Sequence, residues 1–503
     1  MGTKESLARY RGRLDIATGC GVQAGKVMSF PDAVRNGWSS FKEDFFLGGM
    51  AGKRRFLRRL TTYLGDMQSA LHQRWTPDEG NQPPAAYRRD LLWQLMAADR
   101  GTPGAMPVRS SPVKTVALLT NQVLDWSTLQ PTYGGGERVC LTLASLLREQ
   151  GIAVTIYQGA QQPFRSVCDG FEVVGLASRQ RYSEFDHGIS EAFYERSHGY
   201  DAVIYNLPEL ASAQRMRSDA ILLCHGVWFD HRNYQNLSIR SEEWFRHLYR
   251  AFAHPGLVVS VDTNSINVVR ALWPELAAKM VFLPNFADCQ RFYPDPSRVE
   301  KRSPQELTIL FPRRSHINRG SRILGDILLR IPYPCRFQWI GEGDGPDNQI
   351  IARLCEKDSR LQFLKASFDE MPAYYRAADI CVIPTIACEG TSLSCIEGMA
   401  SGCAMVSTHI GGLSDIIQSG INGLLASPTA ESIAGAVNHL IEHHEERTRL
   451  QLAARQSALH FDVSRWRERW LVFRSHDHGC QISGCQSRPD FCGGYRDQRA
   501  SRI

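Results

Sequence analysis

Three consecutive segments decide the fold: "KTVALLTN" at 114–121, "GGGERVCLTLASLLREQG" at 134–151 and "IAVTIYQG" at 152–159. The first and third are short apolar runs bounded by polar or glycine residues, the pattern of buried strands. Between them a glycine triplet leads into an amphipathic helical period that stops at Gly151. Strand, helix and strand in that order start a parallel sheet. More strands are expected in "DAVIYNLP", "AILLCHG", "LVVSVD" and "MVFLPN". The texture restarts near Leu307 with "LTILFPRR", a helix in "GSRILGDILLRI" and a strand in "CRFQWIGEG". "LQFLKAS", "ADICVIPT", "CAMVSTH" and "NGLLAS" continue it.

Two successive arrays of similar size predict an α/β protein of two doubly wound, Rossmann-like domains facing across a cleft. The expected boundaries are 114–294 for the first domain and 295–475 for the second, whose last helix is "FDVSRWRERWLVFRS". Residues 1–113 form a mostly helical N-terminal extension of unassigned role, and 476–503 a cysteine-containing tail read as disordered. In such a pair of domains the ligand site lies in the cleft, at the carboxyl ends of the strands.

Composition bounds the function. A chain of 503 residues with 43% hydrophobic and 22% charged residues is an ordinary soluble globular protein of more than one domain. A net charge of +6 is too small at this length to imply nucleic-acid binding. No apolar run approaches the roughly 20 residues that span a bilayer, and the first residues lack the apolar core of a secretory signal. Scattered cysteines inside apolar runs read as reduced, and the compartment as cytoplasmic. The segment "GKRRFLRRLTTYLGDMQSALHQRW" has a helical period with a basic face. Either that face is solvated or it contacts an anionic membrane surface. The tail cysteines Cys480, Cys485 and Cys492 are spaced too loosely for a paired metal site.

Chemistry concentrates in "CEGTSLSCIEGMASG", residues 388–402. Glu389 stands at the mouth of a predicted helix and Glu397 about two turns inside it, ~12 Å along the axis. Gly390 allows close backbone approach, and Thr391 and Ser392 are candidates to cap the helix so that its amides meet a phosphate. Upstream, "FPRRSHINRG" sends Arg313 and Arg314 off a strand end, with Arg319 following. Guanidiniums there would clamp a diphosphate. Gly134, Gly135 and Gly136 could bring a second set of helix amides to it. His225 ends the strand of "CHGVWFD" and faces the expected cleft. "GEGDGP" at 341–346 lacks the third glycine of a dinucleotide fingerprint and reads as a turn.

From about Lys114 to Ser475 the chain resembles a retaining glycosyltransferase of family 4, with the GT-B fold. The resemblance rests on motifs in the family's order: the first glycine loop and helix, "LPNFADCQRFYP", "RRSHINRG", and above all "EGTSLSCIEGMASGCAMVSTHIGGLSDIIQSGINGLL" with its E-x7-E spacing. It implies a nucleotide-diphosphate sugar as donor and a carbohydrate or lipid-linked acceptor, with no metal and no other cofactor. It implies that Glu389 contacts the transferred sugar and Glu397 holds the ribose. Arg314 and Arg319 would grip the diphosphate, with Gly135 and Gly136 lining the phosphate side. His225 would approach the sugar. Gly390, Thr391, Ser392 and Leu393 complete the donor site. Arg319 departs from the family's usual lysine, and Asp415 from its commoner glutamate. A catalytically silent nucleotide-sugar-binding scaffold on the same fold is the alternative. Intact Glu389, Glu397, Arg314 and His225 argue against it.

Overall fold

The computed structural model describes residues 113–132, 134–177, 187–211, 215–226, 242–295, 303–341, 347–387 and 389–476. The N-terminal extension with its basic segment, the cysteine tail beyond His476 and most of "GEGDGP" lie outside them.

The first half contains β1 (Thr115–Thr120), β2 (Ala153–Ala160), β3 (Phe164–Cys168), β4 (Phe171–Ala177), β5 (Ala202–Tyr205), β6 (Ile221–Cys224), β7 (Leu257–Ser260) and β8 (Met280–Phe282). They form one sheet in the order β3-β4-β2-β1-β5-β6-β7-β8. All pairs are parallel except β3 with β4. The second half contains β9 (Thr308–Pro312), β10 (Arg336–Gly341), β11 (Leu361–Lys365), β12 (Ile380–Ile383), β13 (Ala404–Thr408) and β14 (Leu424–Ala426). Its sheet runs β11-β10-β9-β12-β13-β14 and is parallel throughout. Both sheets therefore reverse direction beside their first strand, between β1 and β5 and between β9 and β12. That is the doubly wound order, and the reversal opens a crevice at the strand ends.

The strands read as continuous apolar runs because both faces are covered. In β9 and β12 every residue is buried. Buried Gln158 of β2 is an exception with a purpose. Its amide bonds Val123 N, Leu124 N and Leu124 O at 2.9 Å each, so it shapes the loop after β1 that leads to the glycine triplet. The β3–β4 hairpin is not among the strands expected above. Its signal is Asp169-Gly170, both in the left-handed region at φ 51° and 78°, the usual chemistry of a two-residue hairpin turn.

The helix Gly135–Glu149 buries Val139, Cys140, Leu143, Ala144 and Leu146 against the first sheet. The final helix, Val463–His476, packs into that same cluster through Trp466 and Trp470. The chain thus returns from the second half to complete the core of the first. Among the described residues the cysteines are free thiols, eight of them buried, and no helix is long and apolar enough to cross a membrane.

Trp466 has ring contact with Phe286 of the interdomain segment at 4.6 Å and is 4% exposed. Trp466→Ala should therefore lower unfolding free energy by about 3 kcal/mol, read from the urea midpoint at unchanged slope. A loss below about 0.5 kcal/mol would show that the last helix is not part of the first core.

Candidate active site

The reversal in the second sheet brings two loops together. Arg313 leaves β9, and the chain from β12 reaches Glu389 through Pro384–Ala387. Because β9 and β12 are neighbours, these side chains meet. Glu389 is 7% exposed and Arg313 also 7%. The Arg313 guanidinium donates to Glu389 Oε2, to Thr385 Oγ1 at 2.8 Å and to Ser392 Oγ at 3.2 Å. Arg319 donates to the same Glu389 oxygen at 2.6 Å, and so does the Thr385 hydroxyl at 2.9 Å. Burial acts to raise the Glu389 pKa, but Arg313, Arg319 and Thr385 outweigh it and hold the carboxyl below the usual carboxylate range. Arg319 closes a short turn ended by Gly320 at φ 84°. A Cβ at Gly320 would strike the Pro384 carbonyl, so only glycine lets this loop approach the exit of β12.

Arg314 is exposed, and Arg313, one position earlier, is the arginine that reaches Glu389. The helix Leu393–Ala400 starts behind Glu389 with Ser392 at its N-cap and no side-chain cap bond. The expected capping by Thr391 and Ser392 is not made. The Ser392 hydroxyl accepts from Arg313, and the Thr391 hydroxyl is used across the cleft. The first-turn amides consequently keep no side-chain partner, the arrangement that suits a phosphate. Glu397 is 3% exposed rather than solvated. Tyr375 donates to it at 3.1 Å.

The first half faces this site with its own reversal point. Asn206, after β5, donates to Thr120 Oγ1 at 3.0 Å and to Gly136 O at 3.3 Å. That orientation leaves its Oδ1 to accept from His225 Nε2 at 3.0 Å, so the proton of His225 sits on Nε2. His225 is 8% exposed, and burial lowers its pKa from 6.5 to about 4, with the Asn206 bond opposing. The imidazole is neutral at pH 7.

The halves are stitched by contacts between segments distant in sequence. Asn285 N donates to Thr391 Oγ1 at 2.8 Å, Asn285 Nδ2 to Thr391 O at 2.7 Å, and Thr391 Oγ1 to Val261 O at 2.8 Å. Thr263 N and Oγ1 donate to the two Asp415 carboxylate oxygens at 2.7 and 2.5 Å. The Gly135 backbone lies against Leu393. A Cβ on Gly390 would run into the His225 carbonyl oxygen, and Gly411, at φ 53°, lies against the carbonyl of Glu389. Arg138 of the first half is ion-paired to Glu397. Among the described residues no cluster of three or more His, Cys, Asp or Glu is arranged to hold a metal ion.

The model of the family described as "Glycosyltransferase Family 4" matches residues 133–291, and that of "Glycosyl transferases group 1" matches 307–443. The matches fall on the two sheets in turn. The chain belongs to the group 1 glycosyltransferases. This glycosyltransferase is 24% identical over 229 residues to sulfoquinovosyl transferase SQD2 of Arabidopsis thaliana, covering 45% of the chain and 42% of the relative. It spans less than half the length of the first curated relatives it matches. In fold it is similar to sucrose-phosphate synthase from Thermosynechococcus elongatus, with TM-score 0.61 and 18% identity over 72% of this chain and 99% of that one. It is also similar to Anabaena HepE in complex with UDP-glucose, with TM-score 0.57 and 17% identity over 72% and 99%. Both likenesses are of fold, and the fold of this glycosyltransferase is GT-B.

Two outcomes test the geometry. Gly390→Ala should keep each half folded but separate them, seen as a larger radius of gyration in solution scattering. An unchanged radius would show that the contact with His225 does not hold the halves together. Below pH 6.5 the unfolded chain protonates the imidazole of His225, while the folded chain leaves it neutral until about pH 4. The unfolded state then binds more protons, so stability falls as pH drops through this window, by up to ~3 kcal/mol. His225→Gln should flatten that part of the urea-stability profile, and a slope equal to wild type would contradict it.

Proposed function

We propose that this glycosyltransferase moves a hexose from a nucleotide-diphosphate sugar to an acceptor hydroxyl with retention of configuration. The observation that carries this is the cluster at the second reversal point. One ionised carboxylate, Glu389, lies under two guanidiniums at the open N-terminus of a helix. One negative charge against two positive ones leaves a surplus that suits a diphosphate, and the helix amides add to it.

In this reading the diphosphate lies over Arg319 and the amides that follow Ser392, with Arg314 reaching it from the cleft edge. Gly135 and Gly136 line the opposite wall. Gly390 to Leu393 hold the pyrophosphate and sugar, and Glu397 binds the ribose diol. The acceptor hydroxyl attacks the anomeric carbon from the face that the diphosphate leaves. The bond from that carbon to the diphosphate oxygen breaks, the oxygen keeps the electron pair, and the acceptor proton passes to the departing phosphate. Glu389 is too tightly paired to serve as a ready base. Its charge instead supports the positive character that develops at the anomeric carbon, while the arginines stabilise the leaving diphosphate. Neutral His225, whose Nε2 proton goes to Asn206, accepts a hydrogen bond from a sugar hydroxyl at Nδ1 without adding positive charge beside that carbon.

A carbohydrate or lipid-linked acceptor fits the chemistry, and glycan, polysaccharide or glycolipid synthesis is the setting that accords with it. The basic segment at 53–59 accords with a cytoplasmic enzyme that touches an anionic membrane surface.

A thermal-shift screen of UDP-, GDP- and ADP-sugars, followed by a donor-hydrolysis and transfer assay, tests the proposal. Glu389→Gln should lower kcat by about 100-fold or more while the protein stays folded, with a lower melting temperature because buried Arg313 loses its counter-charge. Glu397→Ala should mainly raise the donor KM. Binding without turnover across an acceptor panel would favour a silent binding protein, and unchanged kinetics in both variants would refute the site.

A further inference from the structure

Glu397, to which the proposed reaction gives the donor's ribose, already has partners on both oxygens. Arg138 of the helix Gly135–Glu149 donates Nη2 to Oε1, and Tyr375 donates its hydroxyl to Oε2 at 3.1 Å. The pair joins the two halves across 259 positions of sequence. It is sheltered, with side chains 17% and 3% exposed. The Arg138 guanidinium also lies 4.1 Å from the Phe368 ring centroid. That ring belongs to the second half, and Arg291 of the interdomain segment steadies it, lying 4.1 Å from the same centroid and donating to Phe368 O at 2.9 Å and to Asp369 at 2.6 Å. Arg138 is therefore seated in a second-half socket built of a carboxylate and an aromatic face.

A guanidinium and a vicinal diol make the same demand on a carboxylate: each offers two hydrogen-bond donors to it. Arg138 holds Oε1 and Tyr375 holds Oε2, so a diol that takes both oxygens must displace the Arg138 bond. We propose that Arg138 is a displaceable latch that closes the cleft by occupying Glu397 and that yields this carboxylate to a ribose diol. The inference rests on the reading of Glu397 as the ribose-binding residue. Arg138 acts through Glu397 and is a positioning residue. Its consequence is a donor site whose apparent affinity is reduced by the fraction of molecules in which the latch is shut. The nucleotide opens it through the diol, and the charge on the diphosphate plays no part in that step.

The test measures binding of UDP, GDP or ADP to the full chain by calorimetry. Whichever binds wild type tightest is used, together with its 2′-deoxy form. Arg138→Ala should bind the ribonucleotide about fivefold more tightly, ~1 kcal/mol, and the deoxy form with unchanged affinity. Arg138→Lys, which keeps the charge but loses the planar guanidinium that lies against Phe368, should fall between. Should Arg138→Ala melt early, Arg138→Gln carries the same comparison. Weaker or unchanged ribonucleotide binding, or an equal gain for both nucleotides, would overturn the latch. Absence of nucleotide binding in wild type, or a Glu397→Ala variant that binds as wild type does, would instead overturn the assignment of Glu397 itself.

Discussion

A carboxylate taken out of water must be paired, and the pairing of Glu389 organises the cleft. Its two arginines come from the loop after β9, and the carboxylate itself from the loop after β12. Only the reversal of strand order between those two strands makes the loops neighbours. The same pairing fixes the start of the helix Leu393–Ala400, because Arg313 also donates to Ser392 Oγ. Over-neutralisation is the useful result. Two guanidiniums stabilise one buried anion and keep capacity for another.

Much of this was legible in the sequence. The apolar runs located nearly every strand, and the restart near Leu307 located the second sheet. The E-x7-E stretch marked Glu389 and Glu397 as a pair with separate surroundings. What could not be read were relations between distant segments. Arg313 and Arg314 are adjacent and chemically alike, and only the direction in which each side chain leaves β9 decides that Arg313 is buried against Glu389. Thr391 reads as a helix cap, since its type and position suit one. Tertiary structure overrides that preference by presenting Asn285 from 106 positions away. Arg138 looks like a solvated residue near a helix start until Glu397 is brought opposite it. The β3–β4 hairpin differs in kind: its Asp-Gly signal was present and local.

The two halves contribute unequally to what can move. On the second-half side Glu389 is held by three donors and backed by the Gly411–Gly412 turn, whose Gly412 N donates to Glu389 O at 3.0 Å. On the first-half side His225 is held by the Asn206 side chain at 3.0 Å, and its neutral state follows from burial. The site therefore couples a rigid charged wall to a neutral polar one, and closing the cleft brings together surfaces that do not repel.

The return of the last helix to the first core means that the chain passes between the halves twice. The two passages lie side by side: Ala287 N donates to Phe461 O at 3.0 Å, and Val463 N to Ala287 O at 2.9 Å. A body joined to another by two adjacent strands of chain can rock about the line they define, but it cannot drift away or twist freely. The geometry also imposes an order on synthesis. The first half leaves the ribosome without the tryptophans that finish its core and must wait, incompletely packed, until the whole second half has followed.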